Sequence, residues 1–580
     1  MQTLIIVTLT FLGYILMYHL YGKYLANVIF KLSDKAGVPS KEFEDGVDYV
    51  PTKKEIIFGH HFTSIAGTGP IVGPAIAIIW GWVPALIWVF LGSVIMGAVH
   101  DFGSLVISLR NQGKSISEFT AKYINARTKF FFFIIVFLTL WIVIAIFGLV
   151  IAIIFDTFPT AVLPVWLQIP IAMYLGYLIY RKKKNVLIWS IIAVITLYAT
   201  MIAGAYLPLK MPTLFGIPPT GLWTIILLIY AFIASVLPVT TLLQPRDFIN
   251  AYQLLIAMLL MFTGIIAASF GGHLQMVAPA VQMNPPKAPP LWPFLFITIA
   301  CGAISGFHSL VASGTSSKQV SNERDALFVG YGSMLMEGAL ATLVIAAVGA
   351  GIGLGYVTKS GQTLFGLQAW NTHYASWTAA AGLGNKIAAF VTGAANFIAA
   401  LGIPKNIAIV IMGVFVASFA GTTLDTATRI QRYIISEITT DIKMPVLSKR
   451  YPATALAVIL AGLLAFANGA NGAGALTLWP MFGAVNQTLS ALALTVITLY
   501  LRSRGGWKWL VSGVPALFMA IMTFWASMMN ETHFWASKKI LLLTVNGVII
   551  FLVLWIMVEG VYKFFQTKSQ ATETVPEVQA

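Results

Sequence analysis

The sequence predicts an all-α polytopic membrane protein with about fifteen spans. Three observations lead to this prediction. Of 580 residues, 58% are hydrophobic and only 9% are charged, a balance that soluble domains do not show. Apolar runs of about 20 residues, the length that crosses a bilayer as a helix, recur along the whole chain. A short polar motif that interrupts one of these runs occurs again in a later one.

The apolar runs give the positions of the spans. We predict spans near residues 3–20, 57–79, 83–108, 130–155, 160–180, 186–207, 221–243, 249–271, 292–313, 326–354, 405–427, 452–468, 474–499, 508–528 and 540–563. The first run has no basic residue before it and no small-residue cleavage site, so we expect a retained span rather than a signal peptide. A further run, 387–401, is short and rich in Ala and Gly.

Basic loops set the predicted orientation. Lysines and arginines cluster after the first, third and fifth spans, and again at 429–450 and 502–508. Such clusters favour the cytoplasmic side, and all of them share that side only if residues 387–401 do not cross. We therefore expect residues 355–404 to form an outer loop with a surface or re-entrant helix. The N-terminus would then be outside and the C-terminus cytoplasmic.

The same loops account for the net charge of +15, so no nucleic-acid partner is expected. Residues 1–570 are predicted to form a single transmembrane domain. Residues 571–580, which are polar, are predicted to be a disordered cytoplasmic tail.

The repeated motif reads GHHFTSIAGTGP at Gly59–Pro70 and GFHSLVASGTSS at Gly306–Ser317. Both copies fit G-x-H-x5-G-T, which pairs His61 with His308 and Thr68 with Thr315. Non-helical backbone at membrane depth persists only where it is buried in protein or lines a wet cavity. We therefore predict helix breaks at 67–69 and 313–315, with a chance match of a short motif as the alternative.

The two copies lie on spans that run in opposite directions, because the second span is the seventh after the first. Antiparallel interrupted helices are typical of the inverted repeats of secondary transporters. The first repeat would begin near residue 55 and the second near residue 292. A new helix N-terminus at Gly69 favours an anion such as a carboxylate, and the free carbonyls of Ala66, Gly67 and Ser313 suit a cation. The predicted substrate-binding residues are His61, Ser64, Gly67, Thr68, Gly69, His308, Ser313, Gly314 and Thr315.

A third polar stretch, SFAGTTLDTATRIQR, covers Ser418–Arg432. Ser418, Thr422 and Thr426 recur every four residues and share a helix face. Hydroxyls and a carboxylate suit Na⁺, and Asp425 could instead carry a proton. The alternative is structural: hydroxyls that bond back to the helix and an Asp425–Arg429 ion pair. The predicted ion-coupling residues here are Ser418, Thr422, Thr423 and Asp425, with a possible Na⁺ site at Ser418, Thr422 and Thr423.

Several other ionisable residues lie inside apolar runs, where they are candidates for function by default. Asp101 is a further candidate for ion coupling, and the histidines could relay protons. Each could equally be a structural hydrogen-bonding residue. The residues concerned are His60, His61, His100, Asp101, His308 and Glu337. The single cysteine, Cys301, excludes an intrachain disulfide and predicts no metal cluster.

Three segments together carry a resemblance to a known family. GHHFTSIAGTGPIVGPAIA, then VHDFGSL, then FAGTTLDTATR resemble the carbon starvation protein A family, in the right order and from the first span to about residue 530. The resemblance implies a bacterial or archaeal inner-membrane transporter that takes up peptides or pyruvate on an ion gradient. The family is similar to the amino acid–polyamine–cation superfamily, which implies a leucine-transporter-type five-plus-five inverted repeat with additional helices. It also implies a cation site with Ala66 and Gly69 facing Ser418, Thr422 and Thr423.

Other functional classes fit less well. An ion channel needs no antiparallel interrupted helices, and a nutrient receptor needs an output domain; these two remain the alternatives. No HExxH, GxSxG or Asp-rich diphosphate motif indicates an enzyme, and no phosphate-binding loop indicates ATP drive. We expect a carboxylate substrate, Na⁺ or H⁺ as coupling ion, no other cofactor, and lipid as the surrounding partner. Pyruvate against peptide, the coupling ion and the oligomeric state stay open.

Overall fold

The computed structural model describes residues 1–272, 274–358 and 361–567. The predicted tail at 571–580 lies outside them. The helices of the first half of the chain are α1 Gln2–Met17, α2 Pro39–Glu42, α3 Lys54–Ala66, α4 Gly69–Ala77, α5 Trp82–Gly92, α6 Ala98–Leu109, α7 Ile116–Tyr123, α8 Ala126–Thr157, α9 Val162–Gly176, α10 Val186–Tyr206, α11 Pro219–Val236 and α12 Leu243–Phe270. They are followed by α13 Leu291–Thr298, α14 Gly306–Gly314, α15 Ser333–Gly349, α16 Gly366–His373, α17 Trp377–Ala380, α18 Leu383–Ala399, α19 Lys405–Asp441, α20 Arg450–Ala465, α21 Trp479–Ser503, α22 Leu510–Ala536 and α23 Ile540–Gln566.

Strand structure within the described residues is confined to one antiparallel pair, β1 Tyr356–Val357 and β2 Thr363–Leu364, in which Tyr356 pairs with Leu364. Short 3₁₀ or π turns extend several helices. The π turn Ser93–Gly97 joins α5 to α6 as one long span, and Leu327–Gly332 leads into α15. The fold is therefore all-α, as predicted.

Twelve helical stretches in the described part of the chain are long and apolar enough to cross a bilayer, and the bent pair α3–α4 would make a thirteenth. Two further predicted spans also pass between the two ends of the bundle. One is the interrupted pair α13–α14, and the other is α20, which has 16 residues. This is the polytopic membrane protein that the composition predicts.

The arrangement is a five-plus-five inverted repeat of the leucine-transporter type. The first half comprises α3–α4, α5–α6, α8, α11 and α12, and the second half α13–α14, α15, α19, α20 and α21. In each half the fifth helix packs on the first: α12 on α3, and α21 on α14. In each half the fourth helix also packs on the third: α11 on α8, and α20 on α19. The pair α9–α10 is inserted between the third and fourth helices of the first half, and α1, α22 and α23 are additional.

Both glycines that open the repeated motif lie where two helix backbones touch. A Cβ at Gly59 would lie 3.2 Å from Cα of Phe248 on α12, and one at Gly306 would overlap the carbonyl oxygen of Asn486 on α21. Small residues allow this close approach between membrane helices. The glycines of the motif therefore serve the contact between the first and fifth helices of each half.

We call the end of the bundle that carries the basic loops the basic end; there Arg110 pairs with Glu323, and Arg429 with Asp48. Helix α18 lies across the other end. Residues at its start, middle and end contact the last two turns of three long helices, in the pairs Gly384–Ile153 of α8, Gly393–Ala347 of α15 and Phe397–Gly264 of α12. Since all three contacts are at one end, α18 does not pass through the bundle, as predicted for residues 387–401.

Cysteine labelling will test this placement. Thr378 and Asn406, which flank α18, are both exposed. In a Cys301→Ser background, Thr378→Cys and Asn406→Cys should react with an impermeant maleimide from the same side of the membrane, which we expect to be the outside. Lys449→Cys, exposed at the basic end, should react only after permeabilisation. Labelling of the first two positions from opposite sides would contradict the arrangement.

Candidate functional site

The first helix break lies where the sequence predicts it. Helix α3 ends at Ala66, α4 begins at Gly69, and the two are bent by 42°. Gly67 has φ 43° and ψ −143°, a conformation that side chains with a Cβ rarely adopt. A Cβ there would also lie only 2.5 Å from Oγ1 of Thr423. Glycine is required at this position both for the chain direction and for the close approach of α19.

The second break is not where the motif predicts it, and the expectation of a break at 313–315 is wrong. Ser313 and Gly314 are the last residues of α14, whereas the chain leaves the helix at 299–305. Gly302 has φ 90° in this segment. The freed backbone groups are satisfied by neighbouring helices. Trp88 Nε1 donates to the carbonyl of Ile299 at 2.9 Å, and the Gly302 N–H donates to Oε1 of Glu337 at 2.9 Å.

The two breaks face each other in the middle of the bundle. A Cβ on Gly69 would overlap Sγ of Cys301, and one on Gly73 would lie 2.7 Å from the carbonyl oxygen of Thr298. Gly69, Ala300 and Cys301 are partly exposed, in contrast to their mostly buried neighbours. The first break thus meets residues 298–301 rather than the predicted 313–315. Gly69, Ala300 and Cys301 form a small central surface at the N-terminus of α4.

The other predicted substrate residues lie between the breaks and the basic end, where they bond helices to one another. His61 Nδ1 lies 2.8 Å from Oγ of Ser316, and Ser64 Oγ lies 3.0 Å from Oγ1 of Thr426. Ser313 Oγ accepts the N–H of Ile116 at 3.0 Å. These contacts join α3, α14, α7 and α19 on the basic side of the breaks.

Thr315 continues this set of contacts. Its Oγ1 lies 3.1 Å from Nε2 of His60, and the Nδ1 of His60 lies 2.6 Å from Oδ2 of Asp247 on α12. His60 and Asp247 are fully buried. The structure thus separates the predicted substrate set into residues 67–69 at the first break, His308 beside the second break, and a group of hydrogen-bonded polar residues nearer the basic end.

A buried ion-pair network connects α12 to α19. Arg246 contacts Asp425 and lies 3.3 Å from Oδ1 of Asp247. The hydroxyl of Tyr230 donates to Asp425 at 2.9 Å. The alternative that Asp425 pairs with Arg429, four residues on, is not observed, because Arg429 extends to Asp48. Arg246 and Asp247 were missed by the sequence analysis, although both charges lie at the start of an apolar run.

The hydroxyls of α19 do not converge on one point. Thr423 Oγ1 donates to the carbonyl of Ser64 at 3.3 Å, next to the first break. Thr422 Oγ1 accepts from Asn250 at 3.1 Å and donates to the carbonyl of Ser418 at 3.2 Å. Oγ of Ser418 is buried without a partner and lines a cavity of about 30 Å³ between α8, α9, α11, α12 and α19. Of the predicted Na⁺ ligands, only Thr423 lies beside the end of α3.

A second buried cluster surrounds the second break. Asp101 lies between two histidines, 2.8 Å from Nδ1 of His100 and 3.0 Å from Nδ1 of His308. On its other side, Nε2 of His308 lies 3.4 Å from Oε2 of Glu337. With Cys301, these last two offer ligand atoms within 4.8 Å of one another. The sequence analysis predicts no metal cluster at Cys301, whereas the structure brings its sulfur near two other ligand atoms. Its partners lie on other segments, so no local spacing could reveal them.

A cluster of charged residues joins the loop before α3 to α19 at the basic end. Asp48, in the loop before α3, lies 2.7 Å from Arg429 and 3.2 Å from Arg432, both on α19. Burial disfavours its charged form, yet Arg429, Arg432 and Lys318 hold the pKa of Asp48 well below its usual range. A depressed pKa means that this cluster stabilises the closed arrangement at neutral pH, and that the contribution is lost only in strong acid.

Similarity to known proteins agrees with this geometry. A Campylobacter jejuni protein named peptide transporter CstA is 33% identical over 582 aligned residues, which cover 91% of this chain and 80% of the relative. An Escherichia coli protein named pyruvate/proton symporter BtsT is 32% identical, with 88% and 79% covered. Among solved structures, an Eremococcus coleocola manganese transporter mutant has TM-score 0.53 at 10% identity, with 90% of this chain and 99% of that chain covered. This structural likeness concerns the fold alone.

The match to a family extends over most of the chain. Residues 2–526 match the family described as carbon starvation protein CstA. This range includes both breaks, the buried ion-pair network and the charged cluster at the basic end. The chain belongs to the carbon starvation protein CstA family.

Proposed function

We propose that this chain is an ion-gradient-driven secondary transporter that takes up peptides or pyruvate across the inner membrane during carbon starvation. The observation that carries the proposal is the meeting of the breaks at 67–69 and 299–305 in the middle of the bundle. Transporters of this architecture bind substrate where such breaks meet and alternate access by moving one group of helices around that point. The closed cluster at Asp48 supports a gate on the basic side.

The substrate carboxylate would bind at the N-terminus of α4. The peptide N–H groups of the first turn of a helix have no intrahelical partner and favour an anion. Gly69 begins this helix and is partly exposed. Peptides and pyruvate, which occur in the names of the two relatives, share a carboxylate. This shared group is what the geometry at Gly69 supports.

The coupling ion is proposed to be Na⁺ or H⁺, each with its own place in the structure. Na⁺ would bind between Thr423 and the carbonyls at the end of α3, where hard oxygen atoms face each other. H⁺ would be carried by Asp425, whose Oδ1 is buried without a partner. The charged and titratable groups that face Asp425 are Arg246, Tyr230 and Asp247.

Uptake into proteoliposomes tests this proposal. Labelled pyruvate and a labelled dipeptide are supplied separately, each with an inward Na⁺ gradient, an inward H⁺ gradient, or neither. We expect one substrate to accumulate above equilibrium with one gradient, and to leak out when an ionophore collapses it. Equilibration without accumulation would indicate a channel. Accumulation that survives the collapse of both gradients would refute secondary transport.

A substitution on α19 separates the two ions. Thr423→Val keeps the side-chain volume and removes the hydroxyl, so if Na⁺ drives uptake its apparent affinity should weaken by about 1–3 kcal/mol. Thr428→Val is the matched control, because the Thr428 hydroxyl bonds only to the carbonyl of Leu424 on its own helix. The measurement is the Na⁺ dependence of initial uptake. Equal Na⁺ dependence of both variants and the unsubstituted chain would exclude Thr423 as a ligand.

A further inference from the structure

Among the described residues, one group of three side chains brings a thiol, an imidazole and a carboxylate together inside the bundle. Cys301 lies in the second break, His308 in the first turn of α14, and Glu337 in α15. One ligand atom from each lies within 4.8 Å of the other two. Sulfur, imidazole nitrogen and carboxylate oxygen are the atoms that bind zinc and similar divalent ions.

The atoms of this group that face inward have no hydrogen-bond partner. Nε2 of His308 and Oε2 of Glu337 lie 3.4 Å apart, within ion-pair distance, and neither atom makes a hydrogen bond. Both side chains are fully buried. Leaving a buried polar atom unpaired costs about 1–3 kcal/mol, so two such atoms directed at each other suit a cation held between them.

The outward-facing atoms of the same two side chains are held firmly. Nδ1 of His308 donates to Oδ2 of Asp101 at 3.0 Å, and Oε1 of Glu337 accepts the Gly302 N–H at 2.9 Å. A carboxylate behind a histidine fixes its tautomer and leaves the far nitrogen free to bind a metal. Asp101 is itself held by Nδ1 of His100 at 2.8 Å. In a metal site at His308, Asp101, which is also a predicted ion-coupling residue, would be a positioning residue.

The dimensions and the access route fit a small divalent ion. Zinc binds sulfur at about 2.3 Å and nitrogen at about 2.0–2.1 Å, so two ligand atoms of one tetrahedral ion lie about 3.3–3.6 Å apart. The 3.4 Å between His308 and Glu337 already matches this distance, and the group as a whole, which lies within 4.8 Å, would close by about 1 Å around the ion. Cys301 is partly exposed at the central surface beside Gly69, which gives the ion a route in and leaves room for a fourth ligand.

We propose that Cys301, His308 and Glu337 form a binding site for a divalent transition-metal ion of the zinc type. Cys301 and His308 are contributed by the second break and by the helix that follows it, and Glu337 by a neighbouring span. A bound ion therefore joins the break to α15. Metal binding at this site can be measured directly, without any transport measurement.

Cobalt titration of the purified, chelator-stripped full chain in detergent tests the site. We expect one Co²⁺ per chain, a thiolate-to-cobalt absorption band in the near ultraviolet, the intense visible bands of four-coordinate Co²⁺, and displacement by Zn²⁺. Cys301→Ser should lose the near-ultraviolet band. Glu337→Gln should weaken binding at least about tenfold, and Asp101→Asn by about 10–100-fold with the band retained.

His373→Gln is the control, because His373 is also buried but lies in α16 near the other end of the bundle. It should bind Co²⁺ as the unsubstituted chain does. Size-exclusion profiles establish that each variant is folded. No stoichiometric binding of Co²⁺ or Zn²⁺ by the monodisperse, unsubstituted chain would overturn the proposal. An unchanged near-ultraviolet band in Cys301→Ser, or an equal loss in the control, would do the same.

Discussion

Replacing Gly67 by leucine is expected to abolish transport while the protein still inserts and folds. The backbone at Gly67 has φ 43°, which costs about 1–3 kcal/mol for a residue with a Cβ. The Cβ of the new side chain would also lie only 2.5 Å from Oγ1 of Thr423. Overpacking of this kind costs a further ~1–3 kcal/mol. The strain falls on the break itself, so α4 or α19 must shift.

Initial uptake in proteoliposomes should fall at least about thirtyfold, because a strain of about 2 kcal/mol on the helix break corresponds to a factor of that size in rate. Gly421→Ala is the control. Gly421 lies on α19 two residues before Thr423, and a Cβ there would meet nothing within 4 Å. It should transport normally. A Gly67→Leu variant that transports like the control would remove the break from the mechanism.

Replacing Arg246 by leucine is expected to cause the largest loss of stability. Arg246 is the cation between Asp247 and Asp425, and all three are buried. Removing one partner of a buried ion pair leaves an uncompensated charge and costs about 3–5 kcal/mol. The measurement is the midpoint of thermal unfolding in detergent, which should fall markedly.

Two further variants make this result specific. Combining Arg246→Leu with Asp425→Asn removes one of the orphaned charges, so part of the lost stability should return. Arg324→Leu removes an arginine whose ion pair with Asp34 is 59% exposed on each side, and surface pairs of this kind contribute at most about 1 kcal/mol. Equal losses from Arg246→Leu and Arg324→Leu would mean that the buried network does not stabilise the fold.

The class of fold and the first break could be predicted from local sequence, because hydrophobicity and glycine act locally. Twenty apolar residues form a span wherever they occur, and GTGP at residues 67–70 cannot continue an ordinary helix. The second break was misplaced for a physical reason. The glycine aligned with Gly67 is Gly314, which stays helical in α14 and packs against Ile430, whereas Gly302 makes the turn in a segment without a comparable signal.

The polar clusters could not be predicted, because their partners are brought together only by tertiary packing. His60 and Asp247 are 187 residues apart, and Arg246 and Asp425 are 179 apart. Asp425 contacts Arg246 rather than Arg429 four residues along its own helix, and Arg429 contacts Asp48. Helical periodicity also explains the dispersed hydroxyls. Thr423 lies about 100° around the helix from Thr422, so the two face different neighbours.

The close contact between α3 and α12 at Gly59 determines which helices would tilt together during transport. Because α3 packs closely on α12 at Gly59, the two helices would move together about the break at Gly67 in the proposed transport cycle. Helix α3 has 13 residues and is therefore about 20 Å long, so a rotation of about 10° displaces its far end by about 3 Å. That arc is enough to draw Asp48 beyond hydrogen-bonding reach of Arg429, which is now 2.7 Å away. In the proposed transport cycle, a small torsional change at Gly67 would therefore be enough to separate the charged cluster at the basic end.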